Sequence, residues 1–227
     1  MRPSDHWKGH LLLFDATPTP TSDAPAGLRL LLIFVALEGV LGPRLSMLHW
    51  LGLPLPPSWL RIPILLGLTL LAVRFVAGLK LIQIGFRPWR EWSGTEKSYF
   101  VQVFVVANVV FSLVFADRRP TPTMLAEPAV VLASFTWGFH QEVVYRGILQ
   151  TELVRRWGST WGILVSNALF TFGPLHFYHF ARGVSALPMF AGIFVLGLFF
   201  AALFRRSGNL WMVAIFHGLG CAYILGS

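Results

Sequence analysis

Phe139-His140-Gln141-Glu142-Val143-Val144-Tyr145-Arg146-Gly147 sets an imidazole, an amide, an acid and a guanidinium inside a run that otherwise reads as membrane-spanning. Apolar sequence from Ala129 to Trp137 leads into it, and Ile148 and Leu149 continue it. A carboxylate in mid-bilayer costs about 2.5–3.5 kcal/mol on insertion scales, so it faces a protein interior or a hydrated cavity and finds a partner. Glu142 and Arg146 stand four apart, on one face of a helix, and can pair there. Gln141 projects about 100° away, as the 3.6-residue period requires. Two readings compete for this stretch: a functional intramembrane site, or an ion pair that only locks helices together.

Composition widens this into a fold class. The chain has 227 residues, 55% hydrophobic and only 12% charged, with a mean hydropathy of +0.65. Several runs approach the ~20 apolar residues that cross a bilayer. They are continuous rather than alternating, which argues against a β-barrel. The expected fold is all-α, a polytopic transmembrane helical bundle of about seven spans, with six or eight as alternatives. The net charge of +8 lies mostly in loops and speaks for topology, not for nucleic acid. The single cysteine, Cys221, excludes an internal disulfide and a multi-cysteine metal site.

Working outward, residues 1–27 read as a flexible tail, 28–127 as N-terminal transmembrane helices and 128–227 as the transmembrane core that holds the central stretch. Span one is expected at Leu28 to Leu48, before the stiff Leu53-Pro54-Leu55-Pro56-Pro57 connector. Span two, Trp59 to Gln83, carries Arg74, a candidate partner for Glu38 of span one. Span three is Tyr99 to Ala116, span four Ala129 to Val154, span five Trp161 to Phe180, span six Leu187 to Phe204 and span seven Leu210 to Leu225. Gly158-Ser159-Thr160 reads as the turn between spans four and five, with a helix N-cap. A cytoplasmic N-terminus places eleven of the 18 Lys and Arg residues inside, five outside and two, Arg74 and Arg146, in the membrane. The positive-inside bias favours that orientation.

Three clusters carry the chemistry. The first is Gln141, Glu142 and Arg146, with Tyr145 beside them. The second is His176 and His179, in Phe172-Gly173-Pro174-Leu175-His176-Phe177-Tyr178-His179. The third is His217, in Ile215-Phe216-His217-Gly218. Glu142 and His176 lie equally far from residue 159, so an antiparallel hairpin sets them at similar depth, roughly 20–25 Å from the turn. A carboxylate can deprotonate water, and desolvation raises its proton affinity. Neutral imidazoles can donate to a forming oxyanion. Glu142, His176 and His217 could equally ligate zinc and leave a position for water. Residue types alone do not choose between these two. Asn167 and Gln150 read as interhelical hydrogen bonders; Phe139, Phe172 and Phe216 as packing; His179 as a helix–helix donor.

In their order these motifs resemble the CPBP family, also called Abi or type II CAAX prenyl endopeptidases. The family pattern is Glu-Glu-x-x-x-Arg, Phe-x-x-x-His and His-x-x-x-Asn on separate helices. Gln141-Glu142-Val143-Val144-Tyr145-Arg146, Phe172-Gly173-Pro174-Leu175-His176 and His217-Gly218-Leu219-Gly220-Cys221 stand in those places. Gly208-Asn209-Leu210-Trp211 resembles the family's lead-in to the third motif. The likeness spans about Ala129 to Ser227.

The resemblance implies an intramembrane endopeptidase acting on CAAX-type, bacteriocin-like or sorting-tail substrates, that is, a membrane-embedded peptide or lipidated protein. It implies water activated by glutamate. Glu142 is then the base, Gln141 orients water or substrate, Arg146 holds Glu142, and His176 and His217 stabilise the oxyanion, with Tyr145, His179 and Cys221 in support. No cofactor is favoured; zinc is the alternative. This chain departs from the pattern twice: Gln141 replaces the first glutamate and Cys221 the final asparagine. These departures motivate the competing expectation of a catalytically silent relative that binds a membrane peptide or acts as an immunity protein.

Overall fold

A computed structural model describes residues 24–41, 58–114 and 128–225. These residues form helices joined by short turns, with no strand among them. We name the helices α1 (Ala24–Phe34), α2 (Ser58–Leu71), α3 (Gly94–Val114), α4 (Pro128–Glu142), α5 (Thr151–Phe172), α6 (Leu187–Ser207) and α7 (Leu210–Leu225). Wider π-helical turns extend α1 through Val35–Leu41, α2 through Ala72–Val76 and α4 through Val143–Gln150.

A helical membrane bundle fits this architecture. Trp59–Val76, Glu96–Leu113 and His179–Ser207 are long and apolar enough to cross a bilayer, and Leu210–Tyr223 is a shorter apolar helix. Their outward side chains are large and apolar: Phe75, Leu113 and Val195 are each at least two-thirds exposed. Water would not tolerate so continuous an apolar surface on a monomer; lipid does.

The helix that carries the ionisable residues is the most enclosed. Every residue from Gly138 to Gln150 is buried. α7, α2 and α1 pack around it, while α5 packs on α6 and α3 on α7. Glycine permits the closest crossing: a Cβ on Gly138 would lie 2.6 Å from the His217 carbonyl oxygen, and one on Gly218 2.8 Å from that of Phe135. Small residues let membrane helices approach backbone to backbone in this way.

The hairpin turns at Gly158, within the range of α5, where a φ of 75° and ψ of 172° break the helix into two arms at the turn that sequence placed there. That left-handed φ suits glycine. The Ser159 hydroxyl is not an observed N-cap; it accepts from Arg205 Nε at 2.9 Å. Gly208, at φ 59°, ends α6, its N–H bonding to the Phe204 carbonyl. Asn209 Oδ1 then caps α7 by accepting from the Trp211 N–H at 3.2 Å.

Several expectations change. α1 begins at Ala24, inside the expected tail; residues 1–23 and the proline connector lie outside the described residues. Span two ends at Val76 rather than Gln83, since Gly78 takes a φ of 73° and the chain turns away. Arg74 therefore sits near a helix end, exposed, 6.0 Å from the Phe75 ring centroid. It does not pair with Glu38, which bonds Tyr145 instead. Span five stops at Phe172, where Gly173 goes extended ahead of Pro174.

Several of the cations lie at one end of the bundle. Arg87 donates to the Ser207 carbonyl at 3.3 Å, Leu210 N–H to the Gly85 carbonyl at 2.8 Å, and Arg205 to Ser159. These bonds bring together the Lys80–Lys97 connector, the end of α6 and the α4–α5 turn. Buried Glu152 pairs with Arg155 at 2.5 Å and with Arg156, and it lies against Gly27. That is the first turn of α1, where the helix dipole favours a negative charge.

Candidate active site

Glu142 is wholly buried and is the junction of the site. Its Oε1 accepts from His217 Nδ1 of α7 at 2.7 Å, and its Oε2 accepts from Arg146 Nε at 3.2 Å. The four-residue spacing read from sequence thus becomes an ion pair with both side chains at 0% exposure. Two charges out of water need each other and further hydrogen bonds to offset desolvation. Arg146 has them: Nη2 donates to the Gly197 carbonyl at 3.0 Å and to Asn167 Oδ1 at 3.4 Å. Nη1 is buried with no hydrogen-bond partner among the described residues, and the guanidinium carbon lies 5.0 Å from the Phe170 ring centroid. Contact with an aromatic face favours a desolvated cation.

Asn167 fixes this arrangement from α5. Its Nδ2 donates to the Phe194 carbonyl of α6 at 2.9 Å while Oδ1 serves Arg146. Gly197 has to lack a side chain, because a Cβ there would collide with Asn167 Oδ1. Gln150 donates to the Ala201 carbonyl at 2.9 Å. Asn167 and Gln150 are thus the interhelical bonders expected of them.

His176 arrives by a different route. The contacts between residues 146 and 167 and between 145 and 170 set Glu142 level with about Phe172, so His176 lies a turn further along than simple hairpin counting gives. The break at Gly173-Pro174 turns the chain back: His176 N–H bonds the Gly173 carbonyl at 3.0 Å, and His176 Nδ1 donates to the Phe170 carbonyl at 2.8 Å. The imidazole stands edge-on to the Phe170 ring at 5.3 Å, and His217 does the same at 5.8 Å. His176 and His217 thus meet around Phe170, whereas Glu142 and His217 meet directly.

The remaining candidates divide. Gln141 is 5% exposed, and its side chain makes no hydrogen bond among the described residues. Tyr145 turns to α1, its hydroxyl donating to Glu38 Oε2 at 3.0 Å. His179 stacks on His176 at 6.2 Å. Cys221 is a free thiol one turn beyond His217, against Gly138. His140 belongs elsewhere: it bonds Thr69 of α2 at 3.1 Å and stacks on Trp137.

Protonation follows from the acceptors. A carboxylate and a carbonyl can only accept, so His217 and His176 each carry a proton on Nδ1. A neutral ring then offers a bare lone pair at Nε2. It accepts a proton there and cannot donate until it has done so. The Glu142 side chain has no exposed surface, whereas that of His217 is 14% exposed. Of the pair, only His217 has surface open to the outside of the protein.

Among the described residues no three His, Cys, Asp or Glu side chains are grouped to hold a metal ion, while the bonds at Nδ1 leave Nε2 of His176 and of His217 as their ligating nitrogens. Sequence did not single out Phe170 or Gly197. One is a phenylalanine among twenty and the other a glycine in an apolar helix, and neither carries a local signal.

These features define a polytopic helical membrane protein with an acid–guanidinium–imidazole cluster drawn from α4, α7 and the turn after α5. Residues 123–221 match the family described as type II CAAX prenyl endopeptidase Rce1-like, a family of proteases, and over this region the chain is similar to that family. The match bears out the resemblance carried by the three motifs. No curated protein and no solved structure matches the chain significantly.

Proposed function

We propose that the protein is an intramembrane endopeptidase that hydrolyses a peptide bond in a CAAX-type or other membrane-associated substrate, with water activated at the Glu142–His217 pair. The observation that carries this reading is the 2.7 Å bond between a fully buried carboxylate and a partly exposed imidazole. Glu142 orients His217 and stabilises the imidazolium that forms when Nε2 takes a proton from water. A buried acid serves a histidine base in this way in Ser-His-Asp triads. This revises the division of roles read from sequence: Glu142 supplies the charge, and His217 supplies the lone pair that water reaches. Arg146 keeps Glu142 ionised. His176, with Nδ1 tied to a carbonyl, presents its own Nε2 to the same space and, once protonated, donates to the oxyanion. Gln141 orients water or substrate through its amide. No step calls for a metal.

The bundle is proposed to sit in an inner membrane with its cationic end, and the N-terminus, in the cytoplasm. The bias of Lys80, Arg87, Lys97, Arg155, Arg156, Arg205 and Arg206 to one end supports this.

The test is cleavage of a farnesylated CAAX-type peptide in detergent by wild type, Glu142→Ala and His176→Ala. Cleavage by wild type and its loss in both variants is expected; activity that survives either change rejects the assignment. A second reading, a catalytically silent relative that binds a membrane peptide, is favoured by Gln141 at the first motif position. It predicts peptide binding without cleavage, both in wild type and after Gln141→Glu.

A further inference from the structure

Glu38 lies on the π-helical end of α1, far outside the family-matched residues 123–221. It is nonetheless tied to the first motif, accepting from the Tyr145 hydroxyl at 3.0 Å. Phe34, one turn earlier on α1, meets the Tyr145 ring edge-on at 5.4 Å. Tyr145 is fully buried and meets the Phe170 ring edge-on at 5.2 Å. Phe170 in turn carries the Arg146 guanidinium on its face and the His176 and His217 rings around it. Its backbone carbonyl also holds His176 Nδ1. At the other end of α1, Gly27 lies on Glu152. α1 therefore runs antiparallel along the Val143–Gln150 segment, held by one buried or half-buried acid at each end.

We infer that Glu38 is a positioning residue for the site: by anchoring the Tyr145 hydroxyl it fixes the Tyr145 and Phe170 rings on which Arg146, His176 and His217 rest. The need is physical. Aromatic contacts alone leave a ring free to slide, and one directional hydrogen bond at the hydroxyl sets where the stack stands. A site loosened by about 1 Å can lose on the order of 10²-fold in rate. The inference rests on the proposed hydrolysis for its kinetic consequence, but not for its structural one.

The experiment uses the full chain in lipid nanodiscs with ¹⁵N-labelled histidine, the His176 resonances being assigned by their loss in His176→Gln. Wild type, Glu38→Leu, Glu38→Gln, Tyr145→Phe and the Glu38→Leu/Tyr145→Phe double variant are compared. Glu38→Leu and Tyr145→Phe should shift or broaden the His176 Nδ1–H signal equally, and the double variant should add nothing. Glu38→Gln, which keeps an acceptor oxygen, should restore the wild-type signal. On the farnesylated peptide, the two single losses should lower kcat by roughly tenfold to a hundredfold with KM little changed. A wild-type His176 signal in both Glu38→Leu and Tyr145→Phe overturns the inference. So does failure of Glu38→Gln to rescue, or a collapse of all histidine signals together in Tyr145→Phe. If wild type cleaves no peptide, the hydrolytic reading fails while the His176 signal still decides the role of Glu38.

Discussion

Arg146 shows what one side chain does here. Its Nε, Nη2 and flat guanidinium face serve Glu142, Gly197, Asn167 and Phe170 at once. Lysine is a point charge on a flexible stem and cannot reproduce a planar fork. Arg146→Lys should therefore fail to restore what Arg146→Ala loses. Removing one partner of a buried pair strands the other charge, at about 3–5 kcal/mol. Both variants should unfold at markedly lower denaturant in detergent, read by loss of helical circular dichroism; an Arg146→Lys midpoint equal to wild type would contradict this. At this scale the sequence was partly legible. An acid and a guanidinium four apart in an apolar run announce their pairing, because the spacing is helical and the desolvation cost is large. The bond from His217 and the service of Phe170 were not legible as geometry, since they depend on how helices far apart in sequence rotate about their axes. Glu38 was misassigned to Arg74 for the same reason. Opposite signs suggest a pair, but the bend after Val76 carries Arg74 outward and leaves a tyrosine hydroxyl as the partner.

Between elements, the close crossing of α4 and α7 decides whether the acid and imidazole meet. Gly138→Ala puts a methyl 2.6 Å from the His217 carbonyl, and backbone has to move to admit it. Overpacking of this kind costs about 1–3 kcal/mol. The more telling effect is the displacement of His217 from Glu142, which should lower cleavage by on the order of 10²-fold. Gly192→Ala in α6 is the control, as a Cβ there meets nothing within 4 Å; it should leave both melting temperature and cleavage rate unchanged. Equal behaviour of the two variants would show that the crossing does not govern the site. The helices themselves were largely legible: continuous apolar runs place α3, α6 and α7, and Gly158 marks the hairpin. Their ends were less so. Gly173-Pro174 stops α5 eight residues before the apolar pattern does, because extended backbone at Gly173 folds His176 back onto Phe170.

For the molecule as a whole, the orientation proposed from charge can be tested apart from the site enclosed by burial. Trp157 and Val184 are exposed and lie beyond opposite ends of the second arm of α5, which spans about 20 Å at 1.5 Å per residue. In a Cys221→Ser background, Trp157→Cys should react with a membrane-impermeant maleimide only from the cytoplasmic side, and Val184→Cys only from the far side. The reverse pattern would invert the proposed topology. The charge bias behind this prediction was readable from sequence, since Lys and Arg counts in loops need no coordinates. The folding of α1 onto the site-bearing helix was not readable, because Gly27 and Tyr145 carry no mark of the acids they meet.

A double-mutant cycle on peptide cleavage, with Glu142→Gln, His217→Gln and both together, bears most directly on the central pair. Loss of a general base of this kind costs typically 10²–10⁴-fold, and residues that act as one unit are strongly non-additive. Each single variant should lose activity in that range, with the double variant no slower than the worse single. Full activity in Glu142→Gln, or losses that multiply in the double variant, would contradict a shared Glu142–His217 site.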